Sequence, residues 1–343
     1  MHRPLHVFQN IGAEEGRSWR HNLQRPPVQA LLRKWRRALG IPPLDLEKDK
    51  EPTEEQILEY PWLKGKEGLI PWLSTQEALA EATSCGRPLL ASPPEIVKKV
   101  HDKAFAVHFL KKREAESVFN QCIQIMSPES LTDVEYATSL IDSAIEAWPA
   151  WLRSGFTLKP RFGTSGRGRV PGRQGYVTED VKRGFSRLAK KGGAVLEPWL
   201  EKRGDYSAQF LVHDDGLIEC LGATQQCVSN SGVYLGNSGY LLSDGRLTSG
   251  HPVEDEMISV GTDLVYAMAA DGYRGPCGID AMTYRGPQNE TLFRPVIEVN
   301  ARWTAGLVAF GQLYRDIREG KSGRSGKWTV LLGEEETCWK PRD

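Results

Sequence analysis

The stretch Gly275–Gly306, GPCGIDAMTYRGPQNETLFRPVIEVNARWTAG, decides how the rest of the chain is read. Two strand-like runs, Gly278–Tyr284 and Phe293–Asn300, flank the turn-forming Gly286-Pro287-Gln288-Asn289 and predict a β-hairpin. Side chains alternate faces along a strand, so Glu298 and Asn300 share one face while Ile297 and Val299 share the other. A hairpin centred near Asn289 sets Asp280 directly across from Glu298. Facing side chains in such a pair lie roughly 5 Å apart, and two carboxylates there repel. A hard cation between them turns the repulsion into binding. Asp, Glu and Asn offer only oxygen, which suits Mg²⁺ or Mn²⁺ and argues against zinc. A solvent-facing polar stripe on an edge hairpin would carry the same residues, so the decision falls to the chain around it.

The 343 residues suffice for one large domain or two to three small ones. Lys and Arg number 44 against 44 Asp and Glu, so no global field draws the chain to nucleic acid or to a membrane surface. No apolar run approaches the roughly 20 residues that a spanning helix needs. The segment Met1–Asn10 lacks the apolar core of a signal peptide. The six cysteines form no C-x-x-C pair and read as reduced packing thiols, and a cytoplasmic location is expected.

Upstream, His6–Phe8 reads as a strand and Pro27–Ala38 as a basic amphipathic helix. Capping boxes at Thr53–Gln56 and Ser74–Glu77 open two further helices, and Pro88–Ala91 reads as a short strand. This alternation predicts a small α/β domain over residues 1–92 with a mostly parallel sheet. A long helix starts at Pro94 and carries His101-Asp102-Lys103. Gln121–Ile125 reads as a strand, and the capping box Thr132–Glu135 opens a helix reaching Trp148.

The strand Gly155–Pro160 ends in Lys159-Pro160 and runs into Arg161–Arg169, RFGTSGRGR. Gly163, Thr164, Ser165, Gly166 and Gly168 let backbone N–H groups converge on an anion, and Lys159 adds a point charge. No Gly-Lys-Ser/Thr follows, so this is not a Walker A loop. Pro171 takes the last glycine position of the dinucleotide fingerprint. Taken alone, the loop also reads as a flexible hairpin turn or as a short Arg-Gly nucleic-acid tract.

Downstream, Thr178–Lys191 reads as a helix, Ala194–Leu196 as a strand and Asp205–Val212 as another, with Glu197-Pro198-Trp199-Leu200 between the strands. Thr224–Tyr240, rich in Gly, Ser, Asn and Gln, reads as an irregular loop. Met257, Val260, Leu264 and Met268 mark the core stripe of a helix ending at Gly272, and Leu307–Ile317 is a further helix. The tail from Gly320 carries no signal.

In the order Asp102-Lys103, Lys159-Pro160 with its glycine loop, Glu197-x-x-Leu200, then Asp280, Glu298-x-Asn300 and Arg302, the chain resembles the ATP-grasp superfamily over residues 92–310. The resemblance implies an α/β (α+β) ATP-grasp fold. One lobe would span residues 93–195 and the second 196–343, behind a pre-ATP-grasp α/β domain at 1–92. It implies ATP held by Lys103, Lys159 and the loop residues Gly163, Thr164, Ser165, Gly166 and Gly168. Glu197, Trp199 and Leu200 would take the adenine and Asp205 the ribose, with Glu201 as the alternative. Asp280, Glu298 and Asn300 would bind Mg²⁺ or Mn²⁺, and Arg302 and Arg274 would stabilise the transferred group.

The implied activity is an ADP-forming ligase that activates a carboxylate as an acyl phosphate and joins it to an amine. Its partners would be a small carboxylic acid and an amine, with no nucleic acid and no membrane, and homodimer formation is left open. A kinase, a carboxylase-like phosphotransferase and a non-catalytic ATP sensor are the alternatives on the same fold. D-alanine–D-alanine ligases, similar in layout, carry arginine two residues before the metal aspartate, where this chain has Gly278. The substrate is therefore open.

Overall fold

The computed structural model describes residues 6–8, 31, 34–35, 60–63, 66–114, 116–163, 168–229, 234–321, 323, 325–332 and 337–341. The capping box at Thr53, most of the helix expected over Pro27–Ala38 and the loop residues Thr164, Ser165 and Gly166 lie outside these.

The first elements are a parallel pair, β1 (His6–Phe8) and β2 (Leu69–Pro71), extended by a parallel bridge from Leu69 to Leu89. Helix α1 (Gln76–Ser84) begins where the Thr75 hydroxyl accepts the Ala78 N–H, so Thr75 rather than Ser74 is its cap. Next come α2 (Pro94–His101) and α3 (Lys103–Arg113), separated by a single residue. The sequence predicts one continuous helix here, and Asp102 is the reason it is not. Its backbone is extended, and its carboxylate accepts the Ala104 N–H at 2.9 Å, capping the second helix.

Helix α4 (Val118–Cys122) takes up the start of the strand expected at Gln121, leaving β3 as Gln124–Met126. Helix α5 (Val134–Ala147), β4 (Phe156–Pro160), β5 (Val170–Gly172), α6 (Glu179–Ala189) and β6 (Ala194–Pro198) complete the first lobe. Its sheet is antiparallel in the order β3-β6-β4-β5. Ile141, Phe156, Leu158, Phe185 and Leu196 bury their side chains in its core.

The second lobe holds β7 (Lys202–Val212), β8 (Ile218–Val228), β9 (Tyr234–Leu241), β10 (Leu247–Thr248) and α7 (Glu254–Ala270). It continues with β11 (Gly275–Arg285), β12 (Thr291–Asn300), α8 (Ala305–Arg318), β13 (Gly326–Leu331) and β14 (Cys338–Pro341). The sheet runs β12-β11-β7-β8-β9-β13-β14, with β10 against β9. On one face Ala208, Phe210, Ile279, Ala281 and Val299 pack with Met257, Val260 and Leu264 of α7. Trp35, Tyr60, Leu63 and Trp72 join that same core, and Tyr60 donates to the Leu307 carbonyl at 2.9 Å. These N-terminal residues therefore share the second lobe's core, while Leu69, Ala78 and Ala82 form a small cluster of their own.

Two expectations are corrected here. Thr224–Tyr240 is mostly strand, β8 and β9, and not an irregular loop. Its polar residues are not loop signals, because Thr224 and Asn237 are buried on the sheet's polar face, where the Thr224 hydroxyl donates to Asn237 Oδ1 at 3.0 Å. The tail past Gly320 adds two strands, with Trp328 and Val330 turned into a core against Phe310 and Leu313. Among the described residues no helix is long and apolar enough to cross a membrane.

Candidate active site

The hairpin expected at Gly275–Gly306 is present as β11 and β12, and Asp280 faces Glu298 in the register. The route to that register differs from the expectation. Nearer the turn Met282 faces Arg294, so β12 carries two extra residues between Arg294 and Glu298. A bulge of this kind, around Pro295 with its missing N–H, re-aims the strand beyond it. Asn289 takes the left-handed conformation in the turn, at φ 68°, which asparagine tolerates.

On the other side Asp280 faces Ser207 of β7, so Ser207, Asp280 and Glu298 form one row across three strands. Gln226 donates to Asp280 Oδ1 at 3.1 Å and Asn300 Nδ2 donates to Oδ2 at 2.9 Å. Burial pushes the Asp280 carboxyl up to about 6, Glu298 adds to the rise, and the Ser207 and Asn300 hydrogen bonds oppose it. Ser207 and Gln226 carry no signal in the sequence. They belong to the site only because β7 lies beside β11 and β8 beside β7.

Lys103, the first residue of α3, donates to Glu298 Oε1 and to the Gly163 carbonyl, both at 2.8 Å. One ammonium thus joins the helix junction, the entry to the glycine loop and the acidic row. Asp102 beside it holds Arg161 in a bidentate pair, while the Arg161 carbonyl accepts the Lys103 N–H at 3.3 Å. Lys159 projects from β4 onto Glu197, whose second oxygen takes Arg294 Nη2 at 2.8 Å. Burial lowers the Lys159 pKa, and the Glu197 charge opposes that. Burial also works against the Glu197 carboxylate, but Arg294 and Lys159 outweigh it and hold it at about 2.

The residues expected to bind adenine and ribose run from Glu197 in β6 through Trp199 and Leu200 to Asp205 in β7. The Glu197 side chain is buried in this ion-pair cluster, and the Trp199 N–H is committed to the Gly155 carbonyl at 2.9 Å. The half-exposed Trp199 ring lies 5.1 Å from the Arg169 guanidinium, and Leu200 packs on the first lobe's core. Asp205 pairs with Lys202, and Glu201 with Arg285 at 3.4 Å. Gly168 returns from the loop at φ 76°.

Arg302 donates to Asn300 Oδ1 at 2.9 Å and to the Trp303 carbonyl at 2.8 Å, with its guanidinium 5.8 Å from the Trp72 ring. His101 lies behind this turn, where its Nδ1 accepts the Ala301 N–H at 3.2 Å. Burial, then Arg302 and then Lys103, keep the imidazole pKa well below its usual value.

Arg274 is not brought to the row. It stands six residues before Asp280, about 20 Å along an extended strand. Its guanidinium donates to the carbonyls of Asp214, Ala269 and Tyr273. It lines a cavity of about 1100 Å³ with Leu211, Pro276, Trp303 and Tyr314, so the expectation of a second oxyanion donor is withdrawn. A Cβ at Gly278 would sit 2.9 Å from Thr304 Cγ2 and 3.1 Å from Gln209 Oε1, so the arginine of D-alanine–D-alanine ligases has no room here.

The donor set fits a hard divalent cation. Asp280 and Glu298 present oxygen from facing positions, and the Asp280 pKa is raised first by burial and then by the Glu298 charge, the second of which a cation would relieve. Asn300 now turns its N–H to Asp280 and its oxygen to Arg302, so ligation through Oδ1 requires the amide to rotate and Arg302 to let go.

No family model matches the sequence, and no curated protein matches it. Solved structures are similar in fold. Biotin carboxylase from Campylobacter jejuni in its β-γ-ATP complex is 14% identical, with 81% of this chain and 61% of that chain covered and a TM-score of 0.49. N5-carboxyaminoimidazole synthetase from Staphylococcus aureus is 14% identical over 89% of this chain and 91% of that chain, with a TM-score of 0.48. The ATP complex of carboxyaminoimidazole ribonucleotide synthase from Aspergillus clavatus is 11% identical over 69% and 53%, with a TM-score of 0.44. The chain spans 53% to 61% of the length of the first three of the structures it matches.

Proposed function

We propose that this chain is an ATP-grasp ligase that activates a small carboxylic acid with ATP and joins it to an amine. The observation that carries the reading is the meeting at Lys103, where one ammonium holds both Glu298 of the acidic row and the carbonyl entering the glycine loop. Lys103 and Lys159 are each parked on a carboxylate, which keeps two cations ready for phosphate oxygens without leaving either buried and unpaired.

Asp280, Glu298 and Asn300 would hold one or two divalent cations, which supply charge neutralisation between the terminal phosphates. The glycine loop would cover the phosphates and exclude water. Arg302, freed from Asn300, would stand beside the transferred group and stabilise negative charge there. In this reading a carboxylate oxygen attacks the γ-phosphorus and ADP leaves. The amine then attacks the acyl carbon, phosphate departs and the amine loses a proton.

The test is an ADP-release screen of small carboxylic acids and amines taken in pairs. ADP, phosphate and an amide should form together only when both partners are present. A stable phosphoester with no amide would exclude the ligase, and turnover unchanged in Glu298→Gln would exclude this site.

A further inference from the structure

The junction of α2 and α3 touches the turn after β12 through one side chain that the proposed chemistry does not use. His101, the last residue of α2, is 5% exposed. Its Nδ1 accepts the N–H of Ala301, a residue 200 positions away in sequence. A nitrogen that accepts from a backbone N–H carries no proton, so the ring proton sits on Nε2, which has no hydrogen-bond partner among the described residues. Burying an unpartnered N–H costs free energy. Packing alone would be served by an apolar residue, so this contact is retained against a cost.

Ala301 is flanked by Asn300 and Arg302, and those two side chains are already coupled at 2.9 Å. Two residues after His101, Lys103 reaches Glu298. We propose that His101 is a positioning residue that locks the Asn300–Arg302 turn to the helix junction bearing Lys103, so that the cation ligands and the phosphate-binding lysine are held as one unit. The inference rests on the ATP-grasp reading of this site. The imidazole touches neither phosphate nor cation and acts through Ala301. Outer-shell partners of this type set metal affinity by orienting the ligands, and their loss typically costs about 10- to 100-fold.

The test compares His101→Asn, whose Oδ1 can take the place of Nδ1, with His101→Gln and His101→Leu, which cannot accept from Ala301 in that position. Two readouts are needed. The first is hydrogen exchange at the Ala301 amide in the nucleotide-free protein. The second is ADP affinity by calorimetry with and without Mg²⁺. In His101→Leu and His101→Gln the Ala301 amide should exchange faster, and the magnesium-dependent gain in ADP affinity should fall by about 10-fold or more. Metal-free ADP affinity should stay within about twofold, and His101→Asn should restore both readouts.

If His101→Leu does not fold, the Asn and Gln variants decide between themselves. A magnesium-dependent gain that is present in the wild type and undiminished in His101→Gln overturns the positioning role and leaves the ligase reading standing. A wild type that gains nothing from magnesium overturns the metal site itself, and this inference with it.

Discussion

The contacts of Arg302 include a side-chain oxygen, a carbonyl and an aromatic face. In the proposed reaction Arg302, once freed from Asn300, would contribute where charge develops and little to ground-state binding. Arg302→Ala should therefore lower kcat by about 10²–10³ while ATP affinity changes little, as single-turnover kinetics and calorimetry would show. Glu197 is the opposite kind of residue, a buried anion between two cations. Its pKa falls from 4.5 to about 2 on folding, so its stabilisation is complete above pH 4.5 and lost as pH drops through 2. Glu197→Gln should cost on the order of 3 kcal/mol at pH 7, and the gap to wild type in urea titrations should close towards pH 2. A gap independent of pH would mean that packing, and not charge, is what the residue supplies.

At the scale of elements, two local irregularities build the site. The β12 bulge brings Glu298 opposite Asp280, and the break at Asp102 lets a new helix begin with Lys103 pointed at the row. Asp102→Ala removes a cap and the Arg161 pair together. It should lower stability by about 1–2 kcal/mol and weaken ATP binding as well, because Lys103 sits on the first turn of the released helix. A thermal melt and an ATP titration on the same sample would separate the two effects. Neither irregularity was legible in advance. The Lys103 neighbourhood reads as one unbroken helix, since an Asp inside a helical run and an Asp that caps a new helix look alike in sequence, and the Arg161 that pairs with Asp102 comes from elsewhere in the chain. The second half of β8 and all of β9 were hidden for a related reason. Thr224, Gln226 and Asn237 look like loop residues until a second polar layer satisfies them in the interior.

For the molecule as a whole, Trp35, Tyr60, Trp72 and Trp303 form one aromatic cluster across the N-terminal part and the second lobe, with ring centroids 4.8 to 5.7 Å apart. A fragment beginning at residue 93 would leave Trp303 and α8 without that cover. It should aggregate or lose its near-ultraviolet circular dichroism, whereas two independent domains would leave a folded remainder. The boundary expected at residue 92 therefore separates sequence patterns more than it separates cores.

By itself the sequence determined the hairpin, its oxygen-only facing side chains, the helix periodicities and the order of Lys103 and Lys159. All of these are written in spacing over a few residues, and spacing survives without a fold. Only the tertiary structure decided that Arg274 stands apart, that Ser207 and Gln226 flank Asp280, and that His101 backs the Arg302 turn. Those facts depend on which strands lie side by side, and strand neighbours are chosen by the burial of whole faces rather than by any residue's own chemistry.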